Sequence, residues 1–161
     1  MKKQEILTPD VIKDLITSAM AESIQKLVVG AVIQHGGRYL VLRRTATDFL
    51  GGLVELPSGG VDPQEPLLTA LAREIKEETS LEVTQVMRYL SAFDYKSSSG
   101  KRARQFNFLV SVSDISVKLN PQEHDWYGWI MIPSMEFNEL NISAHTREVL
   151  LQAIPNGNGK V

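Results

Sequence analysis

The segment GGVDPQEPLLTALAREIKEETSL, residues 59–81, constrains the fold of this chain more than any other stretch. Its centre predicts a helix from about Pro66 to Thr79, in which successive residues turn by about 100°. At that spacing the apolar side chains form one core-facing stripe, made of Leu68, Leu71, Ala72 and Ile75. The acidic side chains fall along the edge of this stripe, and they are Glu74, Glu77 and Glu78. Packing can therefore hold a carboxylate at this edge while the carboxylate still reaches a ligand.

The acidic edge is open to two interpretations. Most acidic helical faces are simply solvated, and Arg73 with Glu77 four residues later is an ordinary surface pair. Glu74 and Glu78, however, are like charges at the same spacing, which destabilises an isolated helix. A hard divalent cation would relieve this repulsion, because such cations prefer oxygen ligands. The preceding segment, residues 58–60, is predicted to be a flexible turn whose backbone carbonyl groups can approach such a cation.

The spacing of these residues resembles the signature of the Nudix hydrolases, Gly-(5)-Glu-(7)-Arg-Glu-apolar-x-Glu-Glu-x-Gly-apolar. The matching positions are Gly59, Glu65, Arg73, Glu74, Ile75, Glu77, Glu78 and Leu81. One position departs, because Ser80 stands where the family has its final glycine. A left-handed residue closes the helix there, so serine costs about 1 kcal/mol or adopts another cap geometry. No carboxylate is lost, and the departure concerns the loop after the helix.

The resemblance implies an α/β fold, a Nudix-like α/β/α sandwich with a mixed sheet, plus an extra N-terminal helix. It also implies Mg²⁺ as the cofactor, with Mn²⁺ as a substitute. Glu77 and Glu78 would be the main metal ligands, and Glu74 would be a ligand or the base that activates water. The carbonyl group near Gly59 would bind the metal as well.

Three further residues have roles that the resemblance implies. Arg73 would orient a glutamate by pairing with it, and Glu65 would anchor the loop before the helix. The family often adds an acid from a loop outside the signature, as a metal ligand or general base. Glu123, in the polar loop at residues 121–125, stands at a suitable place for that role. The alternative is that Glu123 is an ordinary exposed loop acid.

The remaining chain predicts one domain with helices at both ends. Thr8 and Pro9 predict the start of an N-terminal helix, which covers the domain or contacts a second copy in a homodimer. Further strands are predicted at residues 27–34, 39–43, 53–56, 82–95, 104–112 and 126–132, and further helices at 134–140 and 146–154. We therefore expect a helical extension at residues 1–25, a hydrolase domain at 26–155 and a flexible tail at 156–161.

Three basic residues are candidates for binding the substrate phosphates. Arg44 ends a predicted strand, and Lys101 and Arg102 belong to a basic hairpin loop that could close over an anionic substrate. The alternative, which is the more common situation for such residues, is that each is simply an exposed cation. The aromatic residues that could stack a base are expected to be core residues instead, and they are Phe106, Phe108, Trp126, Tyr127 and Trp129.

Composition limits the classes of partner. The chain has 161 residues and a net charge of −2, so it has no basic field for nonspecific nucleic-acid binding. It contains no cysteine, which excludes disulfides and thiolate metal sites and is compatible with a reducing cytoplasm. No stretch is apolar enough to span a bilayer. We expect a cytoplasmic enzyme that acts on a small nucleotide, without nucleic-acid or membrane partners.

The substrate is less constrained than the reaction. The resemblance implies cleavage of a pyrophosphate bond in a nucleoside diphosphate linked to another moiety. The short chain favours a nucleoside triphosphate, including an oxidised one. Glu55-Leu56-Pro57-Ser58-Gly59 resembles the lead-in of the ADP-ribose pyrophosphatases, but no proline follows between Pro66 and Pro121, where that subgroup has one. ADP-ribose, a nucleotide sugar, and a noncatalytic domain that senses a nucleotide remain alternatives; the complete glutamate set argues against the last.

Overall fold

The computed structural model describes residues 7–155 of the chain. In this range the helices are α1 (Pro9–Ala21), α2 (Leu67–Thr79), α3 (Met135–Glu139) and α4 (Ala144–Ala153). The strands are β1 (Lys26–His35), β2 (Arg38–Arg44), β3 (Val54–Glu55), β4 (Ser58–Gly60), β5 (Val83–Lys96), β6 (Arg102–Val112) and β7 (His124–Ile130). The predicted tail at residues 156–161 lies outside the described residues.

The strands form one mixed sheet in which β1 is central. Strand β1 runs antiparallel to β2 and β4 and parallel to β6. Strand β5 pairs with β6, and both β3 and β7 pair with β2, all antiparallel. Because helices cover both faces, the mixed-sheet α/β/α prediction is confirmed.

Buried side chains form a separate core on each face of the sheet. One core packs α1 and α2 against β1 and β6, and its largest members are the predicted core residues Phe106 and Phe108. The other packs α3 and α4 against the opposite face. Alternate residues of β1 supply the two cores, since neighbouring strand side chains point to opposite faces.

Helix α1 begins as the sequence predicts and packs on the domain. The Thr8 side chain accepts a hydrogen bond from the backbone N–H of Val11, which caps the first turn. Ala19 is fully buried in the core that α1 shares with α2. The helix therefore covers the sheet, which is the first of the two roles that the sequence suggested for it.

The structure corrects three local predictions. Residues 58–60 form strand β4 rather than a flexible turn, because their backbone pairs with residues 28–30 of β1. Ala72 is exposed, and Leu67 and Ala70 join the apolar stripe of α2 instead. Tyr127 is 39% exposed, whereas Trp126 and Trp129 pack against the two cores as predicted. Within residues 7–155 no helix is long and apolar enough to cross a membrane.

Candidate active site

Helix α2 ends in a left-handed residue, the first of the two cap geometries that the sequence left open. Ser80 has φ of 64° and ψ of 10°, and its N–H donates to the carbonyl oxygen of Lys76. The Ser80 hydroxyl donates to the carbonyl oxygen of Lys118 at 3.2 Å, which ties the cap to the following loop. The serine therefore keeps the geometry of the expected glycine, and the carboxylates of α2 keep their places.

Arg73 links the glutamates of the segment. Its guanidinium donates twice to the Glu65 carboxylate, at 2.8 Å each, and once to Glu74 at 2.8 Å. It also donates to the Gly60 carbonyl oxygen at 2.9 Å, while Glu77 lies farther away at 3.4 Å. The bonds from Arg73 lower the pKa of Glu65 to about 2, so this carboxylate is ionised. Glu65 thus anchors the loop before α2, and Arg73 fixes Glu74.

Glu74 lies directly against strand β4. A Cβ atom added at Gly59 would overlap the carboxyl group of Glu74, so only glycine leaves room for this side chain. Burial raises the pKa of Glu74, an effect that the ionised Arg73 opposes and that Glu77 and Glu123 strengthen. A larger residue at position 59 would therefore displace the Glu74 carboxyl group.

Glu78 is a buried acid without a cationic partner. Its residue is 6% exposed, and its carboxyl group accepts a hydrogen bond from the Ser58 N–H at 3.1 Å. Burial raises its pKa to about 9; the Ser58 bond opposes this shift, and nearby Glu55, Glu123 and Glu74 add to it. Within residues 7–155 no lysine, arginine or histidine forms an ion pair with Glu78. Without a cation, Glu78 is therefore a neutral acid at pH 7.

A cavity of about 500 Å³ opens beside Glu78 on the sheet. Its acidic end contains Gly59 and the carboxylates of Glu55, Glu78 and Glu123. Basic and aromatic side chains also line the cavity, namely Lys26, Arg44, Lys96, Phe49, Phe93, Tyr95 and His145. A volume of this size suits a small organic ligand such as a nucleotide.

The predicted site residues occupy different places relative to this cavity. Arg44, Gly59, Glu78 and Glu123 line it, and Glu74 packs behind Gly59. Arg73 and Glu77 lie outside the lining. Lys101 and Arg102 also lie outside it: the Arg102 side chain donates to the carbonyl oxygen of Glu22 at 3.1 Å. Lys96, the last residue of β5 before the same hairpin loop, does line the cavity. Substrate binding by Lys101 and Arg102 remains a prediction.

Some lining residues were not among the predicted site residues. Glu55 accepts hydrogen bonds from Arg44 at 3.4 and 3.2 Å, and its Oε1 lies 2.9 Å from Nε2 of the buried His124. Arg44 also donates to Asp48 at 2.9 Å. The position of Glu55 just before the signature could have drawn attention to it. His124, by contrast, reaches the site through the pairing of β7 with β2, which no local motif reveals.

The donor set fits a divalent cation. Glu78 is buried without a counter-ion, and three other carboxylates raise its pKa, so positive charge at this end would be strongly stabilised. In residues 7–155 no three acidic or histidine side chains are close enough to hold a metal ion as they stand. The assignment of Glu74, Glu77, Glu78, Glu123 and the Gly59 carbonyl as ligands therefore stays a prediction.

Fold and site together define an enzyme of the pyrophosphohydrolase class, and comparison with known proteins confirms that class. Residues 25–152 match the family model described as the NUDIX domain, so the chain belongs to the Nudix family. Members of this family generally use a divalent metal ion.

Relatives and a solved structure agree with this membership. The chain is 40% identical over 102 residues to the CTP pyrophosphohydrolase of Escherichia coli (strain K12), covering 63% of this chain and 73% of the relative. It is 29% identical over 137 residues to the nucleoside triphosphatase NudI of Escherichia coli O17:K52:H18, covering 78% and 94%. The crystal structure of a MutT protein from Methanosarcina mazei Go1 superposes with a TM-score of 0.69 at 25% identity, covering 80% of this chain and 91% of that one.

Proposed function

We propose that this protein hydrolyses the pyrophosphate bond of a nucleoside triphosphate with the help of Mg²⁺, and that CTP is the first substrate to test. The observation that carries the proposal is the cavity, whose lining combines acidic residues with aromatic rings, basic side chains and the amide of Gln105. The two similar proteins act on CTP and on nucleoside triphosphates, as their names state, which supports a triphosphate over ADP-ribose.

The metal would be held by Glu74, Glu77, Glu78, Glu123 and the Gly59 carbonyl group, with Mn²⁺ as a substitute. When bound, it supplies positive charge for the developing phosphate charge and lowers the pKa of a water ligand. Glu74 is positioned to accept a proton, because Arg73 fixes one of its carboxylate oxygens at 2.8 Å. Arg73 would position Glu74, and the glutamates would bind the metal and transfer the proton.

Cations from several elements would receive the phosphates. Lys26 and Lys96 line the cavity, and neither side chain forms an ion pair within residues 7–155. Arg44 already neutralises Glu55 and Asp48, so its charge is shared. Lys101 and Arg102 would contribute only if the hairpin loop closed over the substrate. A cytoplasmic location and a homodimer remain proposals as well.

A panel of substrates tests the proposed function directly. Purified protein is incubated with CTP, the other normal and oxidised triphosphates, ADP-ribose, dinucleoside polyphosphates and nucleotide sugars, with Mg²⁺ or with a chelator. We expect Mg²⁺-dependent release of pyrophosphate and nucleoside monophosphate from a triphosphate. Turnover of ADP-ribose or a nucleotide sugar alone would assign the substrate to that class. Tight nucleotide binding without any turnover would instead favour a sensor.

A further inference from the structure

Gln105 and Asn107 form a buried polar pair on β6, beside the cavity. They are 6% and 0% exposed, and they lie two residues apart on the same face of the strand. Gln105 lines the cavity, and the antiparallel register places Phe93 of β5 directly opposite it. An amide and an aromatic ring therefore stand side by side at the part of the cavity formed by β5 and β6.

The hydrogen bonds of Asn107 fix the orientation of both amides. Its Nδ2 donates to the carbonyl oxygens of Ser91 at 3.1 Å and of Gln105 at 3.3 Å. Since this atom must be the nitrogen, Oδ1 is the acceptor, and it accepts from Nε2 of Gln105 at 2.8 Å. A flip of the Gln105 amide would place two oxygens against each other. The amide is therefore held in one of its two orientations.

This arrangement leaves one edge of the Gln105 amide unsatisfied. Its Oε1 accepts no hydrogen bond from residues 7–155, and Nε2 retains a second N–H beyond the one given to Asn107. Because Gln105 lines the cavity, this edge of the amide is available for hydrogen bonds to a ligand bound there.

Strand β1 is shaped around the pair. A Cβ atom added at Gly30 would overlap both Oδ1 of Asn107 and Nε2 of Gln105. Gly30 is paired with Asn107 in the parallel register of β1 and β6. The backbone of the central strand thus makes room for the two amides where any larger residue would displace them.

We propose that Gln105 reads the hydrogen-bonding edge of the nucleobase and that Asn107 is a positioning residue that fixes the order of its donor and acceptor. This inference rests on the proposed function for the identity of the ligand as a nucleotide. Cytosine presents an amino donor beside an N3 acceptor, whereas uracil presents an oxo acceptor beside an N3–H donor. If both bases bind in the same position, an amide held in one orientation can pair with the donor and acceptor of only one of them. With CTP as the first candidate, the pair selects cytosine over uracil.

The test compares CTP with UTP in variants of the pair. We expect kcat/KM for CTP to exceed that for UTP by about tenfold or more in the native protein. In Asn107→Ala the Gln105 amide is free to flip, so the ratio should fall about tenfold while kcat for CTP is largely kept. Gln105→Met keeps the side-chain volume, removes both hydrogen-bonding groups and should also bring the ratio towards one. Asn138→Ala, at an exposed helical position, is the matched control and should leave the ratio unchanged.

Binding of CMP and UMP by calorimetry separates this inference from the proposed function. Preference for CMP in the native protein, lost in either variant, would support base reading even if no triphosphate were hydrolysed. If the native protein hydrolysed CTP and UTP with the same kcat/KM, base reading would be overturned while the proposed function stayed intact. An unchanged ratio in a folded Asn107→Ala or Gln105→Met protein would overturn it as well.

Discussion

The acidic end of the cavity and its β5–β6 end are built in different ways. The acidic end depends on α2 and on strands β3 and β4 just before it, so most of its residues lie within residues 55–78. The other end joins Phe93, Gln105 and His145 from three elements that are distant along the chain. The residues proposed for catalysis are thus set by local spacing, while the proposed base selection depends on strand register.

The two ends also differ in their electrostatics. The acidic end concentrates negative charge around Glu78, whose pKa rises to about 9 because burial and neighbouring carboxylates disfavour its ionised form. At the other end the amide of Asn107 is fully paired, and one edge of the Gln105 amide has no hydrogen-bond partner within residues 7–155. The first arrangement calls for a cation and the second for a neutral, hydrogen-bonding group. Substitutions at the acidic end should therefore change kcat, whereas substitutions at the β5–β6 end should change the ratio of kcat/KM for CTP and UTP.

The largest effect is expected from Glu78→Gln. The amide preserves the shape and can still accept from Ser58, but it cannot become a carboxylate ligand. We expect kcat for the preferred triphosphate to fall by more than about 100-fold, since even residues behind metal ligands cost 10–100-fold. The metal-free melting temperature should be nearly unchanged, because Glu78 is already neutral in the folded protein. A steady-state assay measures kcat, and a thermal melt without metal measures the melting temperature.

Glu82→Gln is the matched control for that substitution. Glu82 is an exposed acid just past α2 that pairs with Lys76 and lies outside the cavity. The activity of the Glu82→Gln protein should equal that of the native protein. Full activity in Glu78→Gln would remove Glu78 from the catalytic machinery and would break the assignment of chemistry to the acidic end.

A smaller effect is expected from Arg73→Lys. One ammonium group cannot reproduce the bonds of the guanidinium to Glu65, Glu74 and the Gly60 carbonyl oxygen. Activity should fall about 10–100-fold because Glu74 loses its orientation. The free energy of unfolding should fall by about 1–3 kcal/mol, since partly buried acceptors lose donors.

The control for this change is Arg88→Lys. Arg88 donates to the Gln152 carbonyl oxygen at 3.0 Å and does not line the cavity. It should alter stability slightly and leave kcat unchanged. Equal losses of activity in the two variants would show that Arg73 acts through general stability rather than by positioning Glu74.

The difference between the two ends explains how much the sequence could predict. The signature located Glu74, Glu78 and Gly59, because all three depend on one helix and the strand before it. The Gly-rich residues 58–60 looked like a turn, since no sequence pattern showed that they would pair with β1. Gln105 could not be found, because a polar residue in a strand becomes a site residue only through its neighbours on other strands. The amide pair depends on the registers of β1, β5 and β6 together.

The smallest effect is expected from Ser80→Gly, which restores the family residue. Glycine removes the left-handed strain of about 1 kcal/mol but loses the exposed hydroxyl bond to the Lys118 carbonyl oxygen. We expect the melting temperature to rise by about 1–3 °C and activity to stay unchanged. A lower melting temperature would show that the hydroxyl bond outweighs the strain. A changed kcat would show that the cap affects the acidic end.

The most direct test of the account is the proton release that accompanies metal binding. The metal-free protein is titrated with Mn²⁺ or Mg²⁺ at pH 7 by calorimetry in buffers of different ionisation enthalpy, beside Glu78→Gln. Because Glu78 has its pKa raised to about 9 without a cation, it must lose its proton to become a ligand. We expect the native protein to release about one proton per metal ion bound, and the variant to release much less. Equal affinity and equal proton release in both proteins would contradict the assignment of Glu78 as the central metal ligand.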